Sequence, residues 1–124
     1  MTKEELTQAA DIAAQWSICA EELLSHYDAL AIPTAQTWAF PAEWRWPQEI
    51  QGRKMTTYHS WMEIVVPGSL GGLPCTTIPA GFGSNDLPMG IQLLGRRGED
   101  ARLISMAQAY HLALGRPERR PPGA

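Results

Sequence analysis

The sequence predicts an α/β chain, a few mixed strands covered by helices, forming one domain over residues 1–115. Three observations lead there. An apolar stripe at helical spacing runs from Leu6 to Tyr27. Three short apolar runs, at 29–32, 75–78 and 89–94, are each closed by a proline or a glycine. A second helical stripe follows at 103–114. A chain of 124 residues has room for one such domain, and at this size about two thirds of the unfolded surface can be buried.

At the N-terminus, Thr2 and Glu5 form a capping-box pattern, and Leu6, Ala9, Ala13, Trp16, Ala20, Leu23 and Tyr27 follow at steps of three and four. This predicts a long helix over residues 2–26 with one buried side. Asp28 breaks it. The run 29–32, ended by Pro33, then reads as a buried strand. Ligands in α/β proteins gather at strand ends, and Thr34 and Gln36 lie just past this one. Residues 38–47 hold Trp38, Phe40, Trp44 and Trp46 between prolines, a pattern that fits an irregular loop and neither a long helix nor a central strand. Residues 48–55 continue as polar loop. A short helix capped by Thr56 or Thr57 buries Tyr58, Trp61, Met62 and Val65 and is ended by Pro67. Residues 68–74 read as a flexible link. The runs 75–78, stopped by Pro79, and 89–94 read as a hairpin of strands buried on both faces. Glu99 and Asp100 open the last helix, which Leu103, Ala107, Tyr110 and Leu114 anchor. The Pro- and Arg-rich tail, 116–124, reads as disordered.

Composition excludes several classes. Hydrophobic residues at 44% and charged residues at 19% describe a globular chain and not a disordered one. Ten basic residues against 13 acidic ones leave a charge of −3, so nucleic acid is not an expected partner. The 22-residue uncharged run 64–85 carries three prolines and five glycines and cannot satisfy its own backbone in a bilayer; no membrane partner is expected. The polar first residues predict no signal peptide and a cytoplasmic location.

The catalytic inventory is thin. His59 and Glu63 stand four apart, the spacing of two metal ligands on one helix, but no third ligand is near in sequence, so no metal site is expected. His26 suits a helix C-terminus and His111 the edge of the last helix. Cys19 and Cys75 read as buried, inert thiols. Ser69, between glycines, lacks the spacing of a nucleophile elbow and an evident lysine partner. No catalytic residue and no cofactor is assigned. The four aromatics Trp38, Phe40, Trp44 and Trp46 are the candidate substrate-binding residues; a pocket wall and a small local core would use the same side chains.

One resemblance is specific. Gly72-Leu73-Pro74-Cys75-Thr76-Thr77-Ile78-Pro79-Ala80-Gly81, followed by Leu87-Pro88-Met89-Gly90-Ile91-Gln92-Leu93-Leu94-Gly95-Arg96, resembles the C-terminal signature of the amidase signature family, and Tyr27-Asp28-Ala29-Leu30-Ala31-Ile32-Pro33-Thr34 resembles an earlier strand of that family. The matches fall in the family's order and cover the chain nearly to Leu114. The resemblance implies the C-terminal part of an amidase fold, of the kind found in amidases and in glutamyl-tRNA amidotransferases. Family members cleave carboxamide C–N bonds with a serine nucleophile, a bridging serine and a lysine base, and none of those motifs aligns here. Three functional readings follow: a C-terminal portion of an amidase that is inactive alone but walls the pocket for a small amide substrate; a small non-catalytic protein that binds a ligand or partner; and one member of a complex whose N-terminal amidase part is a separate chain. A homodimer is the expected assembly of the isolated chain.

Overall fold

Strand β5 (Pro88–Leu94) lies in the middle of the only three-stranded sheet among the described residues, between β1 (Leu30–Pro33) and β4 (Cys75–Phe82), both antiparallel to it. The structure, a computed structural model, describes residues 2–114. The tail that reads as disordered lies outside them. Before the sheet runs α1 (Lys3–His26). Between β1 and β4 come a two-stranded hairpin, β2 (Glu49–Ile50) and β3 (Arg53–Lys54), a 3-10 helix (Ser60–Val65) and α2 (Val66–Gly71). Helix α3 (Asp100–Leu114) follows β5. The α/β class and the three sheet strands are those expected from the sequence.

The capping box of α1 forms as expected: the Glu5 amide donates to Thr2 Oγ1 at 3.2 Å and the Thr2 amide to Glu5 Oε2 at 2.6 Å. Its buried side does not run the length of the helix. Only Ala20 and Leu24, in the last two turns, are buried, while Leu6, Ala9 and Ala13 are exposed. Amphipathic spacing records that a face is apolar; it does not say that this chain covers it.

Four other expectations are corrected. Pro79 does not stop β4, which runs on to Phe82. Because β4 is an edge strand it needs no outward amide there, and the ladder slips at a bulge between Pro79 and Gly81. Nor are β1 and β4 buried strands. Exposure alternates along β1, and Cys75, Thr77 and Pro79 face solvent while Ile78 is buried. Residues 48–55 are not simple loop. Gln51 (φ 51°) and Gly52 (φ 79°) both take the left-handed conformation that a tight two-residue hairpin turn requires. Finally, Pro67 does not end a helix but sits in the first turn of α2, where its missing N–H costs nothing. The expected flexible link is therefore mostly helix, closed at Gly72 with φ 61°.

The glycines of that segment are there for close approach. A Cβ on Gly71 would lie 2.7 Å from Trp16 Nε1, and one on Gly68 would lie 2.8 Å from Leu94 Cδ2. Leu94 is fully buried and, with Leu24, Ile78, Ala20 and Leu103, forms the core. Two arginines just past β5 then tie the helices down. Arg96 Nε donates to the Leu24 carbonyl at 2.8 Å, and Arg97 Nη2 to the Gly71 carbonyl at 2.8 Å. Both acceptors are C-terminal helix carbonyls left without an intrahelical partner. Arg102 of α3 pairs with Asp28, just beyond α1.

Helix α3 approaches the end of β5 over Gly95, where an added Cβ would meet Leu103 Cγ at 2.9 Å and both its Cδ atoms within 3.1 Å. Three atoms of one buried side chain cannot all give way. Gly95→Ala is expected to lower unfolding free energy by about 1–3 kcal/mol, read from the urea midpoint at unchanged slope. Wild-type stability in this variant would mean that α3 floats on the sheet.

Candidate active-site wall

The loop after β1 starts under tight control. Thr34 uses both its amide (3.1 Å) and its hydroxyl (3.0 Å) to donate to the Gly90 carbonyl of β5. Gly90 must be glycine for this: a Cβ there would lie 3.0 Å from the Thr34 side chain and 3.2 Å from the Ile78 carbonyl. Two residues later, Gln36 Oε1 accepts the Ile64 amide at 3.0 Å. Gln92 of β5 completes the arrangement. Its Nε2 donates to the Pro33 carbonyl at 2.8 Å and to the Ile64 carbonyl at 3.4 Å, and the Cys75 thiol donates to its Oε1 at 3.6 Å. Ile64 in the 3-10 helix is thus held by one glutamine at its N–H and by another at its C=O. Gln92 is the one buried polar side chain among the described residues. Its only sequence signal is an amide inside an otherwise apolar strand run, and sequence reasoning alone misses it.

Beside this clamp lies an open hollow of about 420 Å³. Thr34, Ala35, Thr37 and Ala39 of the loop form one side, and Ile78 and Met89 of the hairpin form the other. It sits at the strand end where the sequence places Thr34 and Gln36. No charged residue lines it.

The four candidate aromatics separate into two sets. Phe40, Trp44 and Trp46 join Tyr58 and Trp61 in one cluster. Phe40 stacks on Trp44 (centroids 6.5 Å) and meets Trp61 edge-on (5.5 Å), while Tyr58 meets Trp46 (6.2 Å) and Trp61 (6.1 Å) edge-on. Trp46 is pinned further by its indole N–H, which donates to the Met55 carbonyl at 3.2 Å, and Arg45 lies over its ring. The Trp61 N–H is buried and finds no hydrogen-bond acceptor among the described residues. Trp38 stands apart: it lies against Gly83 in the β4–β5 turn, where a Cβ would come 2.7 Å from its ring. The spacing of Tyr58 and Trp61 shows only the apolar face of a short helix; their place in the aromatic cluster comes from the fold.

The remaining candidates assemble no reaction centre. Glu63 accepts both guanidinium nitrogens of Arg53 at 2.7 Å and is not drawn into a metal pair with His59, whose ring packs on Tyr58. No group of three or more His, Cys, Asp or Glu side chains converges among the described residues. Cys19 and Cys75 are exposed, contrary to expectation, because the faces that carry them are uncovered. Desolvation pushes the Cys75 thiol above its ordinary pKa, which disfavours the thiolate. Ser69 is exposed on α2. No helix among the described residues is long and apolar enough to cross a membrane.

A three-stranded antiparallel sheet flanked by a long entering helix and a closing helix is a piece of the amidase signature fold. It superposes on a bacterial aryl acylamidase with a TM-score of 0.78, over 91% of this chain and 24% of that one, at 20% identity. It also superposes on the crystal structure of the A subunit of glutamyl-tRNA(Gln) amidotransferase from Thermotoga maritima with a TM-score of 0.70, over 86% of this chain and 22% of that one, at 33% identity. The profile of the amidase family matches residues 3–104. The A subunit of glutamyl-tRNA(Gln) amidotransferase from Orientia tsutsugamushi is 39% identical over 87 residues. The chain belongs to the amidase signature family. It spans 16% of the length of that relative, with 70% of its own residues matched.

Exposure and packing separate the roles of the aromatics. Trp44 is 52% exposed and stacks on one ring only, whereas Trp46 is half-buried, ring-packed and hydrogen-bonded. Trp46→Ala is expected to cost about 2–3 kcal/mol, and Trp44→Ala less than about 1 kcal/mol. Chemical denaturation followed by far-UV circular dichroism measures both. Equal costs would show that Trp44 is as structural as Trp46.

Proposed function

We propose that this chain forms one wall of the acyl pocket in a carboxamide hydrolase of the amidase signature type, with the serine nucleophile and lysine base contributed by the rest of the fold. The observation that carries the reading is the juxtaposition at the end of β1. The family's signature strands β4 and β5 present an apolar hollow there, and the loop that edges it runs directly into the aromatic segment 38–47. None of the four rings lines the hollow itself; on this reading Trp38, against Gly83, and the Phe40, Trp44 and Trp46 cluster extend the wall beyond it. Their rings are large and lose little side-chain entropy when a substrate docks.

The division of labour follows from chemistry. Amide hydrolysis needs an activated nucleophile, a base within hydrogen-bond reach and donors for the oxyanion. The described residues offer Ser69 on an exposed helix and Lys54 on an exposed hairpin, both open to solvent. What they do offer is shape: a hollow with an uncharged lining. An uncharged small amide is the substrate class this favours. The two unpaired cysteines suit a reducing compartment, and we infer work in the cytoplasm.

The purified 124-residue chain is expected to release no ammonia from a panel of aliphatic and aromatic amides. Turnover that persists through repurification and vanishes in Ser69→Ala would overturn the reading. In a full-length relative, alanine at the positions equivalent to Trp44 and Trp46 is expected to change the ratio of kcat/KM for aryl over small aliphatic amides by about tenfold. A loss of stability with that ratio intact would confine the aromatics to a structural role.

A further inference from the structure

Among the described residues, the main chain of the loop after β1 bonds β5 at Thr34, whose amide donates to the Gly90 carbonyl at 3.1 Å, and not beyond it. The hollow opens where the two part. Ala35, Thr37 and Ala39 line it, whereas the residues between them, Gln36 and Trp38, do not. Both of these are anchors. Gln36 Oε1 accepts the Ile64 amide at 3.0 Å. Trp38 reaches the β4–β5 turn, where its ring lies so close over Gly83 that a Cβ there would meet Cη2 at 2.7 Å and Cζ2 at 2.8 Å. The loop side of the hollow is thus a span of chain held at Thr34, Gln36 and Trp38, and the small side chains between those points face the hollow.

The turn under Trp38 is tied internally. Gly83 donates its amide to the Leu87 carbonyl and accepts the Asp86 amide, both at 3.0 Å, and Asn85 Oδ1 accepts the Leu87 amide at 3.2 Å. Gly83 does not have a positive φ, so its backbone would admit an alanine. What excludes a side chain there is the Trp38 ring, together with Asn85 Oδ1 at 2.8 Å. We propose that Trp38 is a positioning residue: by holding the loop to the turn it fixes the distance between the two sides of the hollow, and with it the size of the uncharged group the hollow admits. Thr37 and Ala39, on either side of Trp38 in the chain, stay beside the hairpin while the ring keeps its seat. The latch needs only the geometry of the loop; its effect on size rests on reading the hollow as an acyl pocket.

Backbone 15N relaxation on the full 124-residue chain tests the latch. The order parameters of Thr37 and Ala39 should be about 0.85 in the wild type and fall below about 0.6 in Trp38→Ala, while Thr34, bonded to Gly90, stays rigid. Gly83→Ala, which keeps the ring and removes its seat, should loosen the same two residues. Trp44→Ala, in the separate aromatic cluster, should not. Rigid Thr37 and Ala39 in either latch variant overturn the proposal, as does equal loosening in Trp44→Ala. Butanamide and benzamide, titrated against the amide shifts of Thr37 and Met89, test the consequence for size. Trp38→Ala should raise the affinity for benzamide over butanamide by about tenfold. An unchanged ratio overturns the role of Trp38 in size selection and leaves the pocket reading standing. Shifts from neither amide overturn the pocket reading and the size effect together, and the relaxation data still decide the latch.

Discussion

The side-chain amide of Gln92 is the interaction on which the arrangement of this chain depends. It sits in the central strand, where an unpaired polar group would cost several kcal/mol of desolvation. It is satisfied by carbonyls from two places that no backbone ladder joins: Pro33 at the end of β1 and Ile64 in the 3-10 helix. Because Gln36 holds the other side of Ile64, the segment that carries Trp61 and Tyr58 is fixed relative to the loop that carries Phe40, Trp44 and Trp46. The end of this strand and the three residues after it supply the rest of the framework, within five residues of Gln92. Leu94 fills the core, Gly95 admits α3, and Arg96 and Arg97 close the C-terminal ends of α1 and α2. β5 is less a member of the sheet than the post to which the other elements are tied.

This explains what is legible in the sequence and what is not. The capping box of α1, the strands around residues 30, 76 and 91 and the last helix depend on local chemistry, and local chemistry is written in the chain. What local chemistry does not tell is which strand lies at an edge and which face is covered. Pro79 breaks a central strand but not the outer side of β4, and Pro67 ends one helix only if it does not begin another. The alternation of β1 and β4 is masked by apolar residues that the chain leaves partly exposed. The hairpin turn at Gln51 and Gly52 is weak as a signal because only one of its two left-handed residues is glycine. In the candidate site, the aromatic loop is plain from composition, but its partition is not. Trp46 and Phe40 are absorbed into a cluster with Tyr58 and Trp61, none of the four candidate rings lines the hollow, and its loop side is threonine and alanine, residues that carry no sequence signal of their own.

The chemistry missing from the described residues and the shape they do provide are consistent with one another. On the proposed reading the wall of an acyl pocket must be rigid, and the Thr34–Gly90 and Gln92–Pro33 hydrogen bonds fix the start of the loop that edges the hollow. The catalytic groups are a separate demand, which the proposed function assigns to the rest of the fold. A wall of this kind can hold its geometry through its own hydrogen bonds, whatever supplies the nucleophile.

The most direct test of that account is near-UV circular dichroism of Gln92→Leu, a change that keeps the side chain's bulk and removes its hydrogen bonds. Two part-buried carbonyls lose their donor, at about 1 kcal/mol each. The account expects the far-UV spectrum to persist while the near-UV aromatic signal collapses, as the loop and the 3-10 helix lose their common anchor. A near-UV spectrum indistinguishable from that of the wild type would contradict it, and would show that the aromatic cluster holds itself together without the strand beneath it.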